Sequence, residues 1–335
     1  MKKQTGVTRS LPTPVGIRDL SPERARVLYR LETTLTQLFE KHDYDRVVTP
    51  VFELAHIFER GLDPEAAARL LRFVDPQNGE LLVLRSDITP QIARLMGGVM
   101  RDTPLPARLC YFGRVFRLRQ HSEFQRRELI QAGVELIGPS TAEGDVEIVA
   151  LCAKALEATT SRPHRLSLGH AGVLATILRA LDLDHSNVLR LRSVLHKKSP
   201  EQLNALQTEL EIPAQIAGVL SELPHLYGDP DEVLVRAQTL ESRLPSLSSP
   251  LDRLRAVVRG LTAAGLRERC LLDLGEVSGF GYYSGLVFRA YLPGIGQAVA
   301  SGGRYDHLLA RYGPDRPAAG FAIDEEGLTE SEGPR

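Results

Sequence analysis

Tyr111-Phe-Gly-Arg-Val-Phe-Arg117 and Arg127-Glu-Leu-Ile-Gln131-Ala-Gly-Val-Glu135 flank the polar run Arg117-Leu-Arg-Gln-His-Ser-Glu123. β-Branched and aromatic residues on either side of a polar loop predict an antiparallel hairpin, with strands over 108–116 and 124–137. On the second strand Arg127, Gln131 and Glu135 are spaced by four. Strand side chains alternate, so all three share one face. A base, an amide and a carboxylate on one face can bind a zwitterion, and Arg117 can pair with a carboxylate or phosphate from across the hairpin. The same spacing also fits an exposed polar face with the opposite face buried.

Working outward, Ser21-Pro22-Glu23 caps and opens a helix, and Leu28, Leu31, Leu35, Leu38 and Phe39 carry its apolar period to about Lys41. Residues 45–52 read as a strand whose Pro50 places it at an edge or interface. Residues 81–84 read as a strand and 89–100 as a helix. Further on, a helix is expected over 141–158, a strand over 165–169 and a helix from Ala171. Between 184 and 265 the chain becomes rich in Leu and helix formers and is broken by Pro200, Pro213, Pro224, Pro230, Pro245 and Pro250. This predicts a helical insertion subdomain with a solvated charged face around Lys197 and Lys198. Strands return at 271–274, 286–291 and 297–300. The order implies an α+β fold with a mainly antiparallel sheet. Residues 1–183 and 266–328 form its core, and 329–335 form a frayed tail.

Composition narrows the function. Lys+Arg is 41 against Asp+Glu 42, so no global basic field attracts nucleic acid. Cys110, Cys152 and Cys270 match no metal or redox spacing. No run reaches the roughly 20 apolar residues of a membrane span, and the N-terminus is no signal peptide. A cytoplasmic chain without metal or cofactor is expected.

Several motifs, in order along the chain, resemble one family. The hairpin resembles motif 2 of class II aminoacyl-tRNA synthetases in the histidyl form. Pro14-Val-Gly-Ile-Arg-Asp19 resembles its N-terminal signature, and Pro50 the motif 1 proline at the dimer interface. Leu84-Arg-Ser-Asp87-Ile-Thr89 resembles the amino-acid recognition loop. Gly281-Tyr-Tyr-Ser-Gly and Gly302-Gly-Arg-Tyr-Asp resemble the histidine-specific motifs, and Gly320-Phe-Ala-Ile the start of motif 3. The resemblance implies a histidine pocket. In it Asp87, Thr89 and Gln131 hold the α-amino group, and Glu135 and Tyr283 meet the imidazole. Tyr282 lines the pocket, and Arg117 faces the histidine carboxylate or a phosphate. Arg127 belongs to the same set. If Tyr282 and Tyr283 lie on a strand, only one of them reaches the site.

Three departures from the synthetase pattern change the expected activity. Ser278 and Gly327 stand where the family carries arginines that act on ATP, and Arg119 reverses an acidic position. Adenylate formation relies on placed positive charge, and losing one such donor costs ~10²–10³ in rate. No anticodon-binding domain is expected after Gly327, so no tRNA partner is expected either. A synthetase-like chain of this kind resembles the regulatory subunits of ATP phosphoribosyltransferase. That resemblance implies a non-catalytic partner of the short-form catalytic subunit in the first step of histidine biosynthesis. It also implies a dimer assembled into a hetero-octamer, with L-histidine as effector. The alternatives are a shortened histidyl-tRNA synthetase and a free-standing histidine-binding protein.

Overall fold

The computed structural model describes residues 12–118, 126–276 and 281–330. Its strands in chain order are β1 (Asp45–Arg46), β2 (Phe52–Leu54), β3 (Leu71–Val74), β4 (Leu81–Leu84), β5 (Ala107–Phe116), β6 (Glu128–Ile137), β7 (Arg165–His170), β8 (Tyr227–Gly228), β9 (Cys270–Asp273), β10 (Leu286–Tyr291), β11 (Ala300–Arg304) and β12 (Ala318–Asp324).

The hairpin lies towards one edge of the main sheet. β5 and β6 pair antiparallel from Ala107–Ile137 to Phe116–Glu128. β6 begins at Glu128, later than the expected start at Phe124; residues 119–125 lie outside the described part of the chain. The hairpin seeds a nine-stranded sheet in the order β1-β5-β6-β12-β11-β10-β7-β9-β8. Only β1–β5 and β7–β9 pair parallel; the other pairs are antiparallel. A separate three-stranded sheet has the order β2-β4-β3.

Alternation on β6 gives the sheet two working faces. Ala132, Val134 and Leu136 pack with Leu31, Leu35 and Phe39 of the Pro22–Lys41 helix and with Ile148, Val149 and Cys152 of the Ala142–Thr159 helix. Phe39 holds the junction, with ring centroids 6.0 Å from Phe112 and 6.2 Å from Phe321. On the other face Leu129 and Ile137 join Ile88, Ile92, Met96, Tyr282 and Tyr305 under the Thr89–Gly97 helix. Both faces are therefore covered, and Gln131 and Glu135 are buried at 6% and 1% exposure. The exposed-polar-face alternative does not hold.

The first helix follows its signals: Ser21 accepts from the Arg24 N–H, Pro22 opens the first turn, and the helix ends at Lys41. The single strand expected over 45–52 is instead two short strands in different sheets. The chain bends between them because the Thr49 and Pro50 carbonyls accept from the side chains of Arg85 and Gln91 rather than from a neighbouring strand. The Thr89 helix stops at Gly97, and Gly98 follows as its C-cap. The last inner strand begins at Ala300, where it was expected to end. The tail is shorter than expected, since Thr329 and Glu330 belong to the Glu325–Glu330 helix.

Between 184 and 265 the chain forms helices His185–Lys197, Pro200–Glu209, Ala214–Glu222, Pro230–Arg243 and Ser248–Ala263. Pro200 and Pro230 open helices behind Ser199 and Asp229 caps, where a missing N–H costs nothing. Leu191, Leu220, Leu240 and Leu254 are buried in the same apolar cluster as Leu166 and Leu272 of the sheet. Lys198 pairs with Asp273 at 2.8 Å, so it is tied to β9 rather than standing on a purely solvated face.

Candidate functional site: a buried polar pocket under two tyrosines

The turn after β4 carries the recognition segment. Leu84 ends the strand, Arg85-Ser86-Asp87-Ile88 make the turn, and the helix from Thr89 takes Pro90 in its first turn. The Asp87 side chain is thereby aimed inward at 3% exposure. Its Oδ1 accepts from the Ile88 N–H at 2.8 Å and its Oδ2 from the Tyr282 hydroxyl at 2.8 Å.

Beneath it lies Glu135. Thr89 Oγ1 donates to Glu135 Oε1 at 2.6 Å, and the Tyr305 hydroxyl donates to Oε2. Burial pushes the Glu135 carboxyl well above the usual carboxylate range; the Thr89 hydroxyl opposes the shift and the nearby Asp87 adds to it. Burial, followed by the Asp87 charge, also raises the Tyr282 and Tyr283 hydroxyls above their ordinary values. Both therefore remain protonated and can donate hydrogen bonds at neutral pH.

The pocket is lined by Asp87, Thr89, Arg117, Gln131, Tyr282, Tyr283 and Tyr305, with Ser301 and the 320–322 stretch. Gly320 is needed here. It lies opposite Glu135 in the β12–β6 register, and a Cβ would strike the Glu135 carboxylate and the Val134 carbonyl. Gly303 plays the same part beneath the Tyr283 ring. The cavity as folded is about 20 Å³, room for about one water. Seating an amino acid requires the lining side chains to move.

The chemistry of the lining favours a donor-rich ligand. Among the described residues Gln131 Oε1 is buried without a hydrogen-bond partner, and Asp87 lines the same pocket. Arg117 lines the same pocket, its Nε donating to the Ser86 carbonyl at 2.8 Å. Acceptors and a guanidinium on one lining match an ammonium and a carboxylate.

The structure thus brings Asp87, Thr89, Arg117, Gln131, Tyr282 and Tyr283 onto one lining. Glu135 lies one layer below and reaches the cavity through Thr89 and Tyr305. Arg127 does not line it: the residue precedes β6, and its backbone bonds Gly16 and Arg117. Tyr282 and Tyr283 are not on a strand, so both reach the same pocket, with ring centroids 5.0 Å apart. Tyr305 was not singled out from the sequence, although it ends the Gly302-Gly-Arg-Tyr stretch. Arg304 beside it turns away and pairs with buried Asp145 at 2.7 Å.

Arg119 and Ser278 lie outside the described residues. Gly327 sits in the Glu325–Glu330 helix, its N–H bonded to Asp324. The cations near it are neutralised internally. Arg126 pairs with Asp324 at 2.6 Å and Glu326 at 3.0 Å, Arg18 with Glu326 at 3.0 Å, and Arg114 with Glu128 at 2.7 Å. No cluster of metal-ligating side chains was found among the described residues, and none of their helices is long and apolar enough to cross a membrane.

A sequence model of the histidyl-tRNA synthetase family matches residues 16–328. The chain is 40% identical over 325 residues to the ATP phosphoribosyltransferase regulatory subunit of Anaeromyxobacter sp. (strain K), covering 96% of this chain and 91% of that one. The regulatory subunit of Geobacter metallireducens is 38% identical, with 93% and 72% covered. Among solved structures, an ATP phosphoribosyltransferase regulatory subunit/histidyl-tRNA synthetase from Bacillus halodurans superposes with a TM-score of 0.86 at 28% identity, covering 100% of this chain and 85% of that one. A histidine–tRNA ligase subunit from Alicyclobacillus acidocaldarius gives 0.82 at 26%, with 98% and 99% covered. The fold is the α+β class II synthetase-like core, and the chain belongs to the histidyl-tRNA synthetase-like family of ATP phosphoribosyltransferase regulatory subunits.

Proposed function

We propose that this chain is a non-catalytic regulatory subunit that the short-form ATP phosphoribosyltransferase catalytic subunit needs for activity, and that it carries histidine feedback inhibition. The observation that carries this reading is a pocket lined by Asp87, Gln131 and Tyr282, together with a separate set of cations already paired with carboxylates. Asp87, Gln131 and Tyr282 line a donor-seeking cavity, while Arg126, Arg18 and Arg114 are neutralised by Asp324, Glu326 and Glu128. Phosphoryl and adenylyl chemistry depends on free positive charge at the developing phosphate charge. With Arg18, Arg114 and Arg126 paired internally, the arrangement favours binding over turnover.

Histidine bound in the pocket regulates only if one conformation of the assembly binds it better than the other. The apolar edge formed by Val48, Val51, Phe52 and Leu54, exposed beside Phe73, supports self-association of this chain, which in this reading is part of a cytoplasmic hetero-octamer. Residues 184–265 form the insertion in this reading.

The test is transferase activity of the short-form catalytic subunit with and without this chain, followed by a histidine titration. Activity that requires this chain and falls with histidine is the expected outcome. No effect on activity, together with histidine-dependent ATP–pyrophosphate exchange by this chain alone, would instead identify a shortened synthetase.

A further inference from the structure

Arg85 is two residues upstream of Asp87, yet its side chain leads away from the pocket. It is 5% exposed. Its Nε donates to the Arg114 carbonyl at 2.6 Å, and its Nη1 donates to the Thr49 carbonyl and the Thr49 hydroxyl, each at 3.0 Å. The Thr49 hydroxyl donates in turn to Gln91 Oε1 at 2.8 Å, and Gln91 Nε2 donates to Pro50 O at 2.7 Å and Glu53 at 2.9 Å. The backbone continues the same links: Arg85 N–H bonds Val51 O, and Phe116 N–H bonds Arg85 O. No carboxylate pairs directly with Arg85 among the described residues, so neutral acceptors solvate its charge.

The other end of this network is the pocket. Ser86 O holds Arg117, Asp87 holds Tyr282, and Thr89 holds Glu135. Every residue from Arg85 to Thr89 except Ile88 therefore bonds through side chain or carbonyl to a different element. A buried guanidinium cannot lose its acceptors without leaving unpaired N–H groups, which costs more than a small concerted shift of both segments.

We propose that Arg85 is a positioning residue that makes the Thr49–Glu53 edge and the Asp87–Thr89 pocket wall one mechanical unit, so that ligand affinity in the pocket is set partly by residues that never touch the ligand. This rests on the reading of the pocket as a histidine site. Any contact on the exposed Val48–Leu54 edge is then linked reciprocally to pocket occupancy.

The experiment uses Thr49→Val in the full chain, which removes the bridging hydroxyl but keeps its carbonyl and shape. Arg85→Lys serves as the second variant and Leu220→Ala, buried in the Ala214–Glu222 helix, as a reference for general destabilisation. L-Histidine affinity is measured by calorimetry and amide exchange by mass spectrometry. The expected result for Thr49→Val is an affinity loss of about tenfold with faster exchange in peptides covering 85–92. Leu220→Ala should lower the melting temperature without either change. Wild-type affinity and unchanged exchange over 85–92 in Thr49→Val overturn the proposal, as does an equal affinity loss in Leu220→Ala. If the wild-type chain binds no histidine, the ligand reading fails separately, and the exchange result alone decides on Arg85.

Discussion

At the scale of single residues, the pocket depends on hydroxyls that hold two buried carboxylates in place. Tyr305→Phe removes the donor to Glu135 Oε2 while keeping the ring against Tyr282 at 5.7 Å. A buried acceptor left unpaired costs about 1–3 kcal/mol, and a lower urea midpoint with an unchanged slope is the expected signature. Glu325 offers a test by pH. It is 1% exposed, and burial raises its carboxyl to about 8, with Glu32 and Asp324 adding to the shift. Its folded pKa lies above the unfolded value of about 4.3. The stability it contributes is therefore fully present below about pH 4 and is lost as pH rises through about 8. Glu325→Gln should match wild type near pH 4 and melt several degrees higher at pH 8.5, read by thermal unfolding across that range. An unchanged difference between the two pH values would show that Glu325 finds a counter-charge in solution. Sequence reasoning reached Asp87, Thr89 and Gln131 from their motifs. It passed over Tyr305 and Glu325, whose importance comes from burial and a single partner rather than from spacing.

At the scale of elements, strands rich in β-branched and aromatic residues were legible and strands of small residues were not. β5 was read almost to its ends, β6 to its C-terminal end, and the β10 bounds agree with the sequence reading. β12, Ala318-Ala-Gly-Phe-Ala-Ile-Asp324, has little strand propensity of its own and exists because it is sandwiched between β6 and β11. Its small residues let the backbone approach the Glu135 carboxylate. Gly320→Ala should therefore displace Glu135, lower stability by about 2 kcal/mol or more, and abolish histidine binding. Chemical denaturation and calorimetry on the same variant check both effects, and a well-folded variant with wild-type affinity would show that the strand has room to shift. The segment 45–52 failed in the opposite way. Its composition reads as one strand, but Arg85 and Gln91 bind its carbonyls and split it between two sheets.

At the scale of the whole molecule, one apolar cluster runs from the Pro22–Lys41 helix through the sheet into the helices of 185–263, so ligand binding at the pocket should register in global stability. Histidine at a hundred times its dissociation constant should stabilise the chain by about 2.7 kcal/mol, measured as a shift in melting temperature. Gln131→Ala should remove the shift, because it deletes the unpartnered acceptor in the lining; a shift that survives places the effector elsewhere. The sequence by itself determined the α+β class, the motif order and most lining residues, because strand alternation and motif spacing are local properties of the chain. Only the tertiary structure decided that both tyrosines face the cavity, that Glu135 lies beneath it, and that Arg127 is outside it. It also placed the Arg85 side chain against Thr49 and the Arg114 carbonyl rather than in the pocket. These depend on which distant segments are packed together and on which buried polar atoms then find partners, and residue spacing does not encode either.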